Sequence, residues 1–141
     1  MPVEIIVDNA DPGFAITGFW LTYSGPPYPA YNGSFRYHAA GSGSNTATFR
    51  PAVPAAGDYE VFIWFGTSPY GATNAPWTVN YDGGAHTVTV NLLGPAGEGG
   101  YWLSLGVYPL AAGTAGTVVT TDNANGYVIA DAIRLLQVGG P

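Results

Sequence analysis

The sequence predicts an all-β protein of one domain, an antiparallel β-sandwich of about nine or ten short strands. Three observations carry this. Apolar residues recur with a period of two along most of the chain. The apolar runs are short, rich in Val, Ile, Thr and aromatics, and separated by Gly, Pro, Asn and Asp clusters that read as turns. At 141 residues the chain can bury a sizeable core without staples, and having no cysteine it has no disulfide to help.

The elements follow in order. VEIIV at 3–7 is a strand that ends in the turn DNADPG at 8–13. FAITGFWLTY at 14–23 is strand with a break at Gly18. YSGPPYPAYNG at 23–33 holds three prolines and three tyrosines. That proline density excludes helix and central strand, so its rings either fill a core from a loop or are shown to a partner. SFRYHAA at 34–40 is a strand, GSGSN at 41–45 a flexible connector, and TATFR at 46–50 a strand with Ala47 and Phe49 on one face. PAVPAAG at 51–57 is a turn. DYEVFIWF at 58–65 is the strongest strand: Tyr59, Val61, Ile63 and Phe65 face one way, and Asp58, Glu60, Phe62 and Trp64 the other. The second face gains aromatics toward its end, which implies cover there or contact with a partner.

PWTVNYDGGAHTVTVNL reads as a hairpin, with arms at 76–81 and 85–92 about a DGG turn. Val88, Val90 and Leu92 point inward, Thr87, Thr89 and Asn91 outward. GPAGEGG at 94–100 is a loop, YWLSLGVYPL at 101–110 a strand, AAGTAG at 111–116 a turn and TVVTT at 117–121 a strand. DNANG at 122–126 is a turn, and YVIADAIRLLQV at 127–138 is the closing strand. That last segment could pass for a helix on its alanines and leucines, but its Val/Ile content and the turn before it favour strand. Asp131 shares the inward parity of Ile129, Ile133 and Leu135. A carboxylate there must be hydrogen-bonded, and backbone N–H groups of a neighbouring turn are the expected donors.

Charged residues make up 9% of the chain, against about 25% in an average domain. Lysine is absent, the arginines are Arg36, Arg50 and Arg134, and the net charge is −6. Nucleic acid and anionic lipid are therefore not expected partners. No run approaches the ~18 apolar residues of a membrane span, so no membrane insertion is expected. MPVEIIVDNAD has neither a basic n-region nor a long apolar core, so it is not a signal peptide. The expected place of action is extracellular or a virion surface. The chain reads either as an excised domain or as a complete small protein, for instance a virion component released by lysis. With 47% hydrophobic residues and few charges, a homo-oligomer is also expected.

Nothing in the sequence reads as a catalyst. The acids are dispersed and form no short paired motif of the kind glycoside hydrolysis uses. No serine sits in G-x-S-x-G, and His38 and His86 read as surface strand residues. No enzyme and no cofactor are expected. DNADPG and DNANG read as turns in which Asx side chains satisfy their own backbone. A structural calcium on Asp8 or Asp11 is the lesser reading of the first. Twenty Phe, Trp and Tyr residues remain. Flat rings stack on the C–H faces of sugars while Asn, Asp and Arg take the hydroxyls. The candidate platforms for a ligand or partner are Tyr23, Tyr28 and Tyr31, then Tyr70 and Trp77, then Tyr101 and Trp102. For each Trp the competing reading is core filler.

The order of motifs resembles the golvesin C-terminal-like domain, also described as the carbohydrate-binding-like domain of xanthan lyases. The matching pieces are Asp8-Asn9-Ala10-Asp11-Pro12-Gly13-Phe14 with Gly18 and Trp20, then ATFRPAVPAAGDYEVFIWF, then TNAPWTVNYDGGAHTVTVN. The last is YWLSLGVYPLAAGTAGTVVTTDNANGYVIADAIRLL. The likeness covers nearly the whole chain and implies a jelly-roll-like sandwich with a glycan-binding role. The chain departs from the pattern at Gly71 and Ala72, where an Arg is expected, and at Asn91, where a Gln is expected. The sequence thus points to a non-catalytic binding or adhesion module whose aromatic loops contact a polysaccharide or a protein surface. The alternative is a structural virion protein, a capsid decoration or tail accessory subunit docking on a lattice or on itself.

Overall fold

A computed structural model describes residues 3–24, 30–66, 69–93 and 102–139. Over these residues the alternating pattern forms twelve strands: β1 (Glu4–Asp8), β2 (Phe14–Thr17), β3 (Leu21–Ser24), β4 (Ser34–His38), β5 (Thr46–Phe49), β6 (Gly57–Trp64), β7 (Ala75–Tyr81), β8 (Gly84–Val90), β9 (Trp102–Leu110), β10 (Thr117–Thr121), β11 (Val128–Ala130) and β12 (Ala132–Gly139). A 3-10 turn at Tyr31–Gly33 precedes β4. The strands pair antiparallel in a four-stranded sheet β1-β12-β6-β9, a five-stranded sheet β2-β5-β10-β7-β8 and a three-stranded sheet β11-β4-β3. This is a jelly-roll-like antiparallel sandwich.

Two segments each counted as one strand in the sequence form two, which turns ten into twelve; the first divides at the glycine where the sequence marks a break. The first break is at Gly18, whose φ is +85°. A Cβ at this position would also overlap the Asn45 side chain, and both features favour glycine. The chain leaves the five-stranded sheet here after β2 and enters the three-stranded sheet as β3. The second break is at Asp131, between β11 and β12.

One core draws on all three sheets. The inward set of β6, Tyr59, Val61 and Ile63, is fully buried, and Phe65 just beyond it is too. Ala47 and Phe49 of β5 and Ile133 and Leu135 of β12 meet it. Trp77 is 1% exposed and stacks on Phe49 with ring centroids 6.1 Å apart. It is therefore core, and its place among the ligand platforms is corrected: the odd-numbered residues of β7 face inward, and Trp77 lies opposite buried Thr120. The connector at 41–45 is not loose either. Asp122 is buried and accepts the Gly43 N–H (2.8 Å) and the Asn45 side-chain N–H (2.7 Å), while the Gly41 N–H donates to Asp122 O (2.7 Å). Burial opposes its charge, but these donors and His38, 3.4 Å away, outweigh that and hold the carboxyl below its ordinary value.

At Asp131 the chain crosses from the three-stranded to the four-stranded sheet. The Asn9 N–H donates to the Asp131 carbonyl (2.8 Å), and the Tyr31 N–H donates to Asp131 Oδ2 (2.9 Å). This is the turn N–H the inward parity called for. Oδ1 is buried without a partner among the described residues. Burial pushes the carboxyl up to about 8, with the Tyr31 N–H pulling it down and the Asp8 charge raising it. Burial thus favours the neutral form of Asp131, which limits the cost of enclosing it.

Two predictions follow from this packing. Trp77→Ala should cost about 3–5 kcal/mol of unfolding free energy in a urea titration, the usual range for a buried large ring. A loss under ~1 kcal/mol would place the ring outside the core. The Asp131 carboxyl ionises at about 4 when unfolded and about 8 when folded, so the folded state holds the extra proton between them. Stability should fall as pH rises through that window. Asp131→Asn mimics the protonated form, keeps an acceptor for Tyr31 and should flatten that slope. Asp122 acts in the opposite sense: its stabilisation is present above its unfolded value and lost as pH falls through the lower folded one. A melting temperature just as steep in the Asn variant, from about pH 5 to 8.5, would contradict the assignment to Asp131.

Candidate functional site

The outer face of the four-stranded sheet is set by strand parity. The even positions of β6 point away from the core, and register extends them across the sheet in three rows. The first row is Asp8, Ala132, Trp64 and Trp102. The second is Ile6, Arg134, Phe62 and Ser104. The third is Glu4, Leu136, Glu60 and Val107. The β9 register shifts opposite Val61 and Phe62, where Leu105 turns inward. Gly106 beside it sits at φ +117°, a bulge geometry that returns Val107 to the outer face.

The rows differ in cover. In the first, Asp8 and Ala132 are buried while Trp64 and Trp102 are half-buried. Tyr31 lies against both indoles, with centroids 6.0 Å from Trp64 and 5.3 Å from Trp102. Its backbone is fixed by Asp131, and the next residue, Asn32, holds a left-handed φ of 54°. Asparagine tolerates this better than most side chains. In the second row the Arg134 guanidinium lies 5.2 Å from the Phe62 ring centroid and pairs with Glu4. Between the second and third rows, Ser104 Oγ donates to Glu60 Oε2 (2.7 Å) and accepts the Gly106 N–H (3.2 Å).

The arrangement is three half-buried rings at one end of a sheet, followed by a strip of guanidinium, carboxylate and hydroxyl groups. Rings offer a surface for C–H faces, and the strip offers donors and acceptors for hydroxyls. Of the residues singled out in the sequence, Tyr31 and Trp102 meet here. Tyr28 and Tyr101 lie outside the described residues. Tyr23 stacks on Phe35 and Tyr70 contacts Tyr127, both at the three-stranded sheet. Asp8 and Asp11 serve their own turn: Asp8 Oδ2 accepts the Ala10 N–H and Asp11 Oδ2 the Asp8 N–H. Burial also lifts the Asp8 carboxyl above its ordinary value. Among the described residues no three His, Asp or Glu side chains are grouped to hold a metal. Trp64 and Arg134 were missing from the sequence-derived site, although the aromatic turn of the second β6 face already signalled the first.

Three comparisons place the chain among known proteins. It is 35% identical over 143 residues to xanthan lyase of Bacillus sp. (strain GL1), covering 96% of this chain and 15% of that protein. The Paenibacillus xanthan lyase structure matches with a TM-score of 0.85 and 37% identity, over 96% of this chain and 13% of that one. The chain therefore spans only a small part of the length of these lyases. A family 35 carbohydrate binding module from Clostridium thermocellum shares the fold, with a TM-score of 0.60 at 15% identity, over 94% of this chain and 98% of that one. Residues 5–137 match the model of the Golvesin C-terminal domain, and the chain belongs to that family.

Proposed function

We propose that the chain is a non-catalytic, extracellular glycan-binding module whose ligand lies along the outer face of the four-stranded sheet. The observation that carries this reading is the convergence of Tyr31, Trp64 and Trp102 from three separate segments onto one half-open surface. Rings so placed are held before a ligand arrives, which lowers the ordering cost of binding. Arg134, Glu60 and Ser104 continue the surface with groups that bond hydroxyls. The names of the relatives support the same reading, one being a xanthan lyase and another a family 35 carbohydrate binding module. They favour a glycan over a virion lattice as the partner.

In the site, Tyr31, Trp64 and Trp102 supply the stacking faces, and Arg134 with its Glu4 partner supplies orientation. Two of the four tryptophans, Trp20 and Trp77, are buried, so Trp64 and Trp102 carry the solvent-sensitive part of the fluorescence. Titration with a soluble polysaccharide should quench or shift that emission. Trp102→Ala should weaken binding roughly tenfold or more, as loss of a central ring does at other interfaces. Trp102→Phe, which keeps a ring, should retain most of it. A folded Trp102→Ala protein that binds like the parent chain would refute the site.

A further inference from the structure

A second series of rings runs from the core to the surface on the three-stranded sheet. Phe35 meets Tyr37 at 6.1 Å, Tyr37 meets Tyr127 at 5.8 Å, and Tyr127 meets Tyr70 at 6.4 Å. Exposure rises along the series, from 5% at Phe35 to 39% at Tyr127 and 59% at Tyr70. Leu21, opposite Tyr37 in the β3–β4 register, is 44% exposed and borders the series.

The outer two tyrosines are held by backbone. The Tyr127 N–H donates to Tyr70 O (3.0 Å), the Ala72 N–H donates to Tyr127 O (2.8 Å), and Gly71 and Tyr127 form an isolated bridge. The crossing is close. A Cβ on Gly126 would lie 3.1 Å from Ala72 Cα, and one on Gly71 would lie 3.0 Å from Leu92 Cβ. Next to the rings stands an exposed group of neutral polar side chains. The Asn125 amide donates to Thr73 Oγ1 (2.7 Å), and its carbonyl oxygen accepts the Thr73 N–H (2.9 Å). Asn74 Oδ1 accepts the Asn125 N–H (2.8 Å). Residues 69–75 and 123–130 contain no charged side chain. Arg36 is paired with Thr22 and Ala130 on the opposite face of β4 from Tyr37, and donates to Trp20 O (3.4 Å).

We propose that Tyr37, Tyr127 and Tyr70 form a second binding surface, for a neutral glycan chain, distinct from the outer face of the four-stranded sheet. The inference rests on the glycan-binding reading above and extends it to another surface. A polyanion would find no cation here, since Arg50 bonds Thr114 O and Arg134 pairs with Glu4, both away from these tyrosines. A protein partner would find too little apolar surface. Tyr70, Tyr127, Leu21 and Leu93, which follows the Leu92 packed on Gly71, expose on the order of 400 Å², against ~800 Å² per partner in a stable interface. A neutral sugar needs only two or three ring faces with uncharged hydroxyl and amide groups beside them.

Affinity electrophoresis of the full chain would test this, in gels holding hydroxyethylcellulose, galactomannan or polygalacturonate, with light scattering on every variant. A neutral polymer should retard the parent chain. Tyr70→Ala should lower its apparent association constant roughly fivefold or more, in addition to the loss from Trp102→Ala. The melting temperature should stay within ~4 °C of the parent, because the ring is mostly in solvent. Where Trp102→Ala loses retardation and neither Tyr70→Ala nor Tyr127→Ala does, the second surface falls while the first stands. Retardation confined to polygalacturonate overturns the neutral class. A Tyr70→Ala variant of lower mass than the parent hands the surface to a second copy of the chain. Failure of every polymer to retard the parent removes both surfaces.

Discussion

The hydrogen bond from the Tyr31 N–H to the Asp131 carboxyl joins residues a hundred positions apart, and much of the molecule is arranged around it. Asp131 stands where the chain passes from β11 in one sheet to β12 in another. Its carbonyl takes the Asn9 N–H, so the turn after β1 is fixed at the same point. Its side chain fixes the 3-10 turn that carries Tyr31. A sandwich must change sheets somewhere, and each change strands backbone groups that a continuous ladder would have paired. Here one residue offers a carbonyl and a carboxyl to two neighbouring segments. The cost is a buried acid, and holding its proton keeps that cost tolerable.

The aromatic content has two destinations. Phe49, Tyr59, Phe65 and Trp77 fill the interior, and their burial is what holds the sheets together. Tyr31, Trp64 and Trp102, and separately Tyr37, Tyr127 and Tyr70, stand half in and half out. Each outer ring contacts at least one other ring, so neither group is a set of isolated side chains. The proline-rich segment at 23–33 has its two ends at different sheets. Tyr23 at its start goes to the three-stranded sheet, and Tyr31 at its end to the four-stranded one. Tyr23 and Tyr31 are therefore not one platform.

The fold was legible because strand parity is a local property. Tyr59, Val61 and Ile63 could only be buried together, and the DGG turn could only close a hairpin. The inward parity of Asp131 likewise announced a buried acid with a turn N–H for a partner. The break at Asp131 was hidden because a strand that changes sheets keeps its alternation on either side. The site was legible only in part. Tyr31 and Trp102 could be named as candidate platforms, but their meeting at Trp64 depends on the register of β6 with β9 and on a bond across a hundred residues. Trp77 shows the converse: in sequence it reads either as a platform beside a turn-rich stretch or as core filler, and the pairing of β7 with β10 places it inside. The connector at 41–45 looked loose from its glycines and serines, whereas the Asp122 carboxylate pins it from 79 positions away.

β1 and β12 are neighbours and run antiparallel, so the described chain begins and ends at one edge of one sheet. Glu4 faces Leu136, and the Gln137 N–H donates to Val3 O (2.8 Å). These contacts lie in or beyond the third row of the outer face, while the aromatic group occupies the first, about 13 Å further along the strands. A domain with adjacent ends can be spliced into a longer polypeptide with little disturbance to its host. Any flanking chain would approach and leave through a single narrow base, with the ring-bearing end pointing outward from it, as a lamp stands on a bracket.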